Sequence, residues 1–224
     1  MNRIKLRANR IFNYVFGEKF KKKLNYNWEN YPTRMKIIQE IIDYKKYKSY
    51  LEIGCDNDEL FSKIEIAFKV GVDPASGGTV KLTSDEFFKK NENKYDIIFI
   101  DGLHHYEQVK KDINNSLKSL NTDGIIILHD CMPKSYLEQA VPRSQFLWTG
   151  DVWKAFVEVR TKEDLDCYTC LADKGLGMII NRKNKNKLDL NIKNFKDLKF
   201  KDFYLNHKIM MNLFEYKEIK KVLE

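Results

Sequence analysis

Residues 95–130 read YDIIFIDGLHHYEQVKKDINNSLKSLNTDGIIILHD, with two short apolar segments on either side of a longer amphipathic one. The runs IIFI at 97–100 and IIIL at 125–128 contain no polar residue. A strand with one face in water would alternate apolar and polar side chains, so these strands are expected to be buried on both faces. Strands of this kind are typical of a parallel sheet, and the segment at 106–120 is expected to be their crossover helix. The predicted class is α/β.

More strands are predicted on both sides of this unit. SYLEIG (49–54), FKVGVD (68–73) and the weaker TVKLT (79–83) precede it. CYTCLA (167–172) and GMIINR (177–182) follow it and are separated by only four residues, DKGL. A link this short joins antiparallel neighbours, since a parallel return needs a dozen residues or more. The sequence therefore predicts a mostly parallel sheet that ends in an antiparallel hairpin.

The length of 224 residues and the 43% of apolar residues fit one large domain with extensions. We divide the chain into a basic N-terminal extension (1–30), a central domain (31–182) and a basic helical tail (183–224). The net charge of +8 is uneven, with +7 in residues 1–24, +6 in residues 182–224 and −5 between them. Because the basic residues lie at the ends and not on the folded body, a nucleic-acid partner is not expected.

The N-terminal segment MNRIKLRANRIFNYVFGEKFKKKL mixes Arg and Lys with apolar residues at helical spacing. Such a pattern is typical of a basic amphipathic helix that lies on a membrane or on its own domain. The sequence has neither a long apolar run nor the pattern of a secretory signal. We expect a cytoplasmic protein with peripheral membrane contact through residues 1–24.

Polar side chains follow nearly every predicted strand of the sheet, at its carboxyl end. Open α/β sheets bind ligands at this edge, near the point where strand order reverses. The residues are Glu52, Gly54, Asp56, Asp58, Asp73, Ser84, Asp85, Asp101, His104, His105, His129 and Asp130.

The loop after the first strand argues against phosphate-bearing coenzymes. A dinucleotide-binding turn has the pattern G-x-G-x-x-G, whereas here only Gly54 is present and Asp56, Asp58 and Glu59 follow it. Carboxylates repel a pyrophosphate, so NAD, FAD and ATP are disfavoured. S-adenosylmethionine carries a sulfonium and an ammonium group and suits an acidic loop. Asp73 ends the second strand, where a carboxylate can accept both ribose hydroxyls.

The strings LEIGCDND, VGVDP, TSDEFF, YDIIFIDGLHHYEQVKKDI, GIIILHDC and GDVWKAF resemble the successive motifs of class I S-adenosylmethionine-dependent methyltransferases. The chain is most similar to a small bacterial group with an IDGxHxYxxVxxD segment and a strand ending in HD. This group is related to macrocin O-methyltransferase-like and cephalosporin hydroxylase-like proteins. The resemblance covers residues 49–182. It implies a Rossmann-like, doubly wound sheet of seven strands, the last of them antiparallel.

The resemblance also assigns roles to residues of the first half of the sheet. Glu52 and Gly54 would hold the methionine end of the cofactor, Asp73 the ribose, and Ser84 with Asp85 the adenine side. Asp101 is likewise expected to contact the cofactor. The chain departs from the family pattern in the first loop, where Asp56 and Asp58 replace the second and third glycines.

On the acceptor side, the residues predicted to be catalytic are Asp101, His104 and His129, because a histidine of near-neutral pKa is a natural general base. Related enzymes bind a divalent cation after the fourth and fifth strands. Asp101, His129 and Asp130 occupy those positions here, with His129 in place of a carboxylate. The acceptor implied by the resemblance is a hydroxyl of a sugar, glycan or small glycoside.

Two other functions stay open from the sequence. The pI near 9.1 allows a nucleic-acid methyltransferase, but such enzymes carry an Asn/Asp-Pro-Pro-aromatic segment where this chain has Asp101-Gly-Leu-His104. A non-catalytic module of the same fold, docked on a membrane through residues 1–24, is the second. The oligomeric state is not predicted.

Overall fold

The structure is a computed structural model that describes residues 3–224. One sheet of seven strands runs through it in the order β2-β1-β3-β4-β6-β5-β7. The strands are β1 (Ser49–Ile53), β2 (Phe68–Val72), β3 (Tyr95–Ile100), β4 (Leu120–Leu128), β5 (Asp166–Cys170), β6 (Leu176–Ile180) and β7 (Leu213–Phe214). The helices are α1 (Arg3–Phe16), α2 (Arg34–Lys45), α3 (Ser84–Lys90), α4 (Tyr106–Lys118), α5 (Tyr136–Gln139), α6 (Val152–Val159), α7 (Phe200–Met211) and α8 (Ile219–Leu223).

All neighbouring strands are parallel except at β6, which runs antiparallel to both β4 and β5. The predicted Rossmann-like, doubly wound and mostly parallel sheet with an antiparallel hairpin is confirmed. From β1 the chain moves to β2 on one side and then to β3 on the other. This reversal lies between β1 and β3, so the crevice for a ligand is expected at the carboxyl ends of these two strands.

Both faces of the sheet are covered, as the unbroken apolar strands predict. On one face the four isoleucines of α2 at 37, 38, 41 and 42 are buried together with apolar residues of α8. On the other face α4, α6 and α7 pack against the sheet, and the rings of Trp153 and Phe203 lie 4.7 Å apart. The C-terminal tail is thus part of both hydrophobic cores.

The segment TVKLT (79–83) is not the strand that the sequence predicts. It makes one bridge, Val72 with Val80, because the N–H groups of Thr79 and Val80 both donate to the carbonyl of Gly71. The segment then ends in Thr83, which caps α3 in a capping box with Glu86. The seventh strand is instead β7, from the tail, which pairs with β5 at the opposite edge.

No helix within residues 3–224 combines the length and the apolar character needed to cross a bilayer.

Candidate active site

Two adjoining cavities open at the carboxyl ends of β1 to β4. We call them the acidic cavity, of about 570 Å³, and the histidine cavity, of about 430 Å³. Both sizes are in the range of small-molecule sites. Asp101, Gly102 and Leu103 line both cavities and so form the wall between them.

The acidic cavity lies at the strand-order reversal and is lined by four carboxylates, those of Asp56, Asp73, Asp85 and Asp101. The described part of the chain contributes no Lys or Arg to this lining. The cavity therefore favours a ligand with positive charge and disfavours a phosphate-bearing one.

Gly54 is required where β1 ends. Its φ is +89°, and a Cβ at this position would lie 2.4 Å from the carbonyl oxygen of Asp101. The loop after β1 and the end of β3 therefore touch through the backbone. No larger residue fits there without moving the wall between the cavities.

Asp56 and Asp58, which stand where the family has glycines, have φ values of +46° and +62°. This left-handed region favours glycine, and Asp is among the few other residues that adopt it readily. The loop thus keeps a glycine-like backbone with aspartates in it. This accounts for the departure of the sequence from the family pattern.

Only one of the three acids in this loop lines the acidic cavity. Asp56 does, whereas Asp58 accepts a hydrogen bond from the N–H of Gly78 at 2.6 Å and thereby holds the 77–78 turn. Glu59 is exposed and lies outside the lining. The expectation that the whole acidic loop faces the ligand is therefore corrected to Asp56 alone.

Asp73 lies in the acidic cavity, where the sequence predicts a ribose contact. Its carboxylate accepts hydrogen bonds from the N–H groups of Asp56 (3.0 Å), Ala75 (2.8 Å) and Ser76 (3.0 Å). Partial burial alone would raise the pKa of Asp73, but these N–H groups lower it below its usual value. Asp73 is therefore held ionised and fixed in position.

Ser84 and Asp85 begin α3 and also line the acidic cavity. The amide of Gln108 in α4 donates to Ser84 Oγ at 3.2 Å and to Asp85 Oδ1 at 3.0 Å, and Gln108 lines the cavity as well. Sequence reasoning missed Gln108. The sequence could have pointed to Gln108, because it lies in the first turn of the helix that follows β3 and the loop 101–105.

Glu52 is placed differently from the other predicted cofactor residues. Glu52 lies within β1 and its side chain is buried. Its carboxylate accepts a hydrogen bond from the Tyr50 hydroxyl at 2.5 Å and does not line the acidic cavity. Burial raises the pKa of Glu52 to about 7, although the hydrogen bond from Tyr50 works against this. The contact of Glu52 with the methionine end stays a prediction.

The histidine cavity contains an ordered cluster of acids and imidazoles. Asp101 Oδ1 lies 3.1 Å from His104 Nε2 and 3.1 Å from His129 Nδ1. The other nitrogen of His129 lies 3.2 Å from Asp173 Oδ1, and that of His104 lies 3.3 Å from Asp130 Oδ2. Each ring is therefore between two carboxylates.

This arrangement favours the protonated form of both rings. Burial alone would lower the pKa of His129, but Asp101 and Asp130 raise it to about 10. The pKa of His104 is also raised, because Asp101 and Asp130 outweigh its burial. Burial would raise the pKa of Asp101, yet the two histidines hold it well below its usual range. The raised pKa of His129 does not suit the near-neutral base that the sequence predicts, and the catalytic roles of Asp101, His104 and His129 stay predictions.

Two buried atoms in the cluster have no hydrogen-bond partner among residues 3–224, namely His104 Nδ1 and Asp130 Oδ1. Each of the two atoms lies within ion-pair distance of an oppositely charged group, but the contacts are not aligned as hydrogen bonds. Buried polar atoms are normally satisfied, so this pair points to a missing ligand.

One ligand atom each from Asp101, His104 and Asp130 lies within 4.8 Å of the others. The sequence predicts His129 in this set, whereas the geometry brings in His104.

The rest of the histidine cavity comes from elements that the strand-end reasoning did not cover. Arg34 begins α2, Lys174 lies in the β5–β6 turn, and Arg143 with Trp148 lies in the segment before α6. No motif marks the two arginines or Lys174, because their place depends on how loops pack over the sheet.

Comparison with known proteins agrees with this geometry. Residues 26–131 match the model of a family described as "Methyltransferase domain", and this region includes β1 to β4 and most of the acidic lining. A search of curated proteins gives no match to the sequence.

Two solved structures resemble the fold of this chain. An O-methyltransferase from Bacillus cereus in complex with SAH has a TM-score of 0.51 at 12% identity and covers 80% of this chain and 91% of that chain. A SAH-bound methyltransferase of Podospora anserina has a TM-score of 0.51 at 18% identity, with coverage of 80% and 95%. At such identities the likeness establishes the shared fold.

The protein should lose stability as Glu52 ionises. Its pKa is higher in the folded chain than the ordinary 4.5, so the folded state binds the proton more tightly and is destabilised as the pH rises from about 4.5 through about 7. We expect Glu52→Gln to gain stability relative to wild type by roughly 2 kcal/mol more at pH 8 than at pH 5. Urea unfolding at both pH values measures this.

The exposed Glu59→Gln removes the same charge and should show no such pH-dependent gain. A constant difference between Glu52→Gln and wild type at pH 5 and pH 8 would contradict the raised pKa.

Proposed function

We propose that this chain transfers the methyl group of S-adenosylmethionine to a hydroxyl of a sugar, glycan or small glycoside. The acidic cavity would hold the cofactor and the histidine cavity the acceptor. The observation that carries the proposal is the four-carboxylate lining without Lys or Arg, next to a second cavity across the wall of residues 101–103. Methyl transfer needs two ligands held in line, and these cavities meet at one wall.

The sulfonium and ammonium groups of S-adenosylmethionine complement an acid-lined cavity, whereas a pyrophosphate would be repelled by it. Asp73, which is held ionised, still has lone pairs for ribose hydroxyls. Ser84, Asp85 and Gln108 would face the adenine side. Both solved structures named above hold SAH, the demethylated product of this cofactor, and this supports the same ligand here.

The lining of the histidine cavity supports a hydroxyl-rich acceptor. Most of its side chains are charged or hydrogen-bonding, and the ring of Trp148 lies beside them, 5.5 Å from the ring of His104. A sugar presents hydroxyl groups together with an apolar ring face. Polar groups that fix orientation beside an aromatic surface are the usual composition of a small-molecule site.

In the proposed reaction the acceptor oxygen attacks the methyl carbon, the carbon–sulfur bond breaks, and its electron pair stays on sulfur. The hydroxyl proton must leave, and the protonated rings of His104 and His129 cannot take it. The buried Asp130 Oδ1 has no hydrogen-bond partner and is the group in the cavity that would accept this proton. The two imidazolium groups, fixed by Asp101, would stabilise negative charge that develops on the acceptor oxygen.

The same cluster fits a divalent cation. The set contains two carboxylates and one imidazole, and two of its atoms are buried without hydrogen-bond partners. Asp101, His104 and Asp130 would be the ligands, with His104 in its neutral form, because cation binding displaces the proton of a ligating imidazole. A bound cation would supply Lewis-acid polarisation of the acceptor oxygen.

Cofactor binding should follow the acidic lining. Calorimetry is expected to show binding of S-adenosylmethionine and its demethylated product, but not of NAD. Asp73→Asn should weaken binding about ten-fold or more, because a hydrogen bond to a charged group contributes roughly 1.5–3 kcal/mol. Glu59→Gln removes an acid of the same region outside the cavity and should leave affinity unchanged. The proposal fails if neither adenosyl ligand binds or if NAD binds as tightly.

Acceptor binding should depend on Trp148. We expect Trp148→Ala to lower kcat/KM for glycoside methylation by about ten-fold or more through lost stacking and packing, with an unchanged Kd for S-adenosylmethionine. Transfer of a radiolabelled methyl group to a panel of glycosides measures this. Trp28→Ala, outside both cavities, is the matched control. Equal transfer by Trp148→Ala and wild type, or no glycoside methylation by wild type, would count against this acceptor site.

Cation binding is tested with Mn²⁺, followed by the loss of the free-ion signal in electron paramagnetic resonance. Wild type should bind the ion, and Asp130→Asn should reduce affinity at least about ten-fold, since it removes an anionic ligand. Asp85→Asn removes an acid of the other cavity and should bind as wild type does. If Asp130→Asn binds Mn²⁺ as well as wild type does, Asp130 is not a ligand.

A further inference from the structure

Helix α1 presents most of its apolar side chains away from the protein. Of its residues only Leu6 and Asn13 are buried. Ile11, Val15 and Phe16 are 67%, 53% and 74% exposed, and Phe12 is 47% exposed with its ring 5.1 Å from that of Phe16. An amphipathic surface helix normally turns its apolar side to the core. Here that side needs a partner outside residues 3–224.

The flanks of this apolar face are basic. Arg3, Lys5, Arg7 and Arg10 lie on α1 and are exposed, and the lysines at 21–23 follow soon after. An apolar strip bordered by cations matches a bilayer with anionic headgroups, where the apolar residues enter the boundary of the acyl chains and the cations contact the lipid charges. Two copies of α1 placed face to face would instead bring like-charged borders together.

Helix α1 is attached to the wall of the histidine cavity. Asn9 donates a hydrogen bond to the carbonyl of Arg143 at 2.8 Å, and Asn13 donates to that of Pro142 at 2.8 Å. Arg143 and Phe146 of the same segment line the histidine cavity. Phe146 also borders a crevice with residues of α1, and it is 65% exposed. In this crevice α1 contributes Leu6 and its exposed arginines, so the basic side of α1 reaches the segment at the mouth of the histidine cavity.

We propose that α1 and the exposed residues Phe146 and Leu147 dock the protein on an anionic bilayer. Docking would place the mouth of the histidine cavity at the lipid surface. The acceptor would then be a hydroxyl of a membrane-borne headgroup or glycan, a step that rests on the proposed function. The docking itself does not depend on methyl transfer.

The full-length protein is tested by sedimentation with phosphatidylcholine vesicles that contain or lack phosphatidylglycerol. We expect binding to the anionic vesicles, weaker binding to the neutral ones, and release by salt. The double variant Phe12→Ser, Phe16→Ser should reduce the partition coefficient at least about ten-fold. The control is Leu205→Ser, Ile209→Ser on α7, which removes apolar side chains of similar exposure and should leave binding unchanged.

Calorimetry with S-adenosylmethionine on the same samples separates this proposal from the enzymatic one, because the α1 variant should keep full cofactor affinity. Absence of binding to anionic vesicles would overturn the proposal, as would equal binding by the α1 variant and its control. Light scattering that shows a dimer broken by Phe12→Ser, Phe16→Ser, without vesicle binding, would assign the face to a second copy instead.

Discussion

The carboxylate of Asp101 is the group on which both cavities depend. Asp101 follows β3 directly and lies in the wall that the cavities share, and its carboxylate is 3.1 Å from a nitrogen of each of the two imidazoles. A buried, unpaired carboxylate would be costly, and so would two buried imidazolium groups without anions. The opposite charges of the carboxylate and the imidazolium groups offset the free-energy cost of burying them. The wall between the proposed cofactor and acceptor is therefore fixed by charge as well as by the backbone.

The backbone constraint comes from Gly54. Its approach to the Asp101 carbonyl joins the loop after β1 to the end of β3, and these are the two strands between which strand order reverses. The ligand edge of the sheet is thus one connected unit. The proposed charge pattern, with acids on one side of the wall and paired imidazolium groups on the other, depends on this connection.

The sequence was sufficient to predict the class of the sheet and most of the acidic lining. Hydrophobic periodicity and the ends of strands depend on nearby residues and can be read from the sequence. Asp73 and Asp101 follow strands and line the acidic cavity, whereas Ser84 and Asp85 line it from the start of α3 and follow no strand. The failure at 79–83 has a local cause as well, since the chain turns at Gly78 and caps a helix at Thr83, and between them it pairs with the sheet only through Val80. Arg34, Arg143 and Lys174 could not be predicted, because three distant segments meet only in the folded chain. The protonation of His104 and His129 likewise depends on distances that spacing does not reveal.

The left-handed aspartates of the first loop bear on how such proteins are recognised. A search that demands glycine after the first strand would pass over this chain, although Asp56 and Asp58 have positive φ angles, which glycine adopts most easily. Asparagine shares this tolerance with aspartate. A sequence pattern that accepts glycine, asparagine or aspartate at positions of positive φ would find divergent loops of this kind that a glycine-only pattern misses.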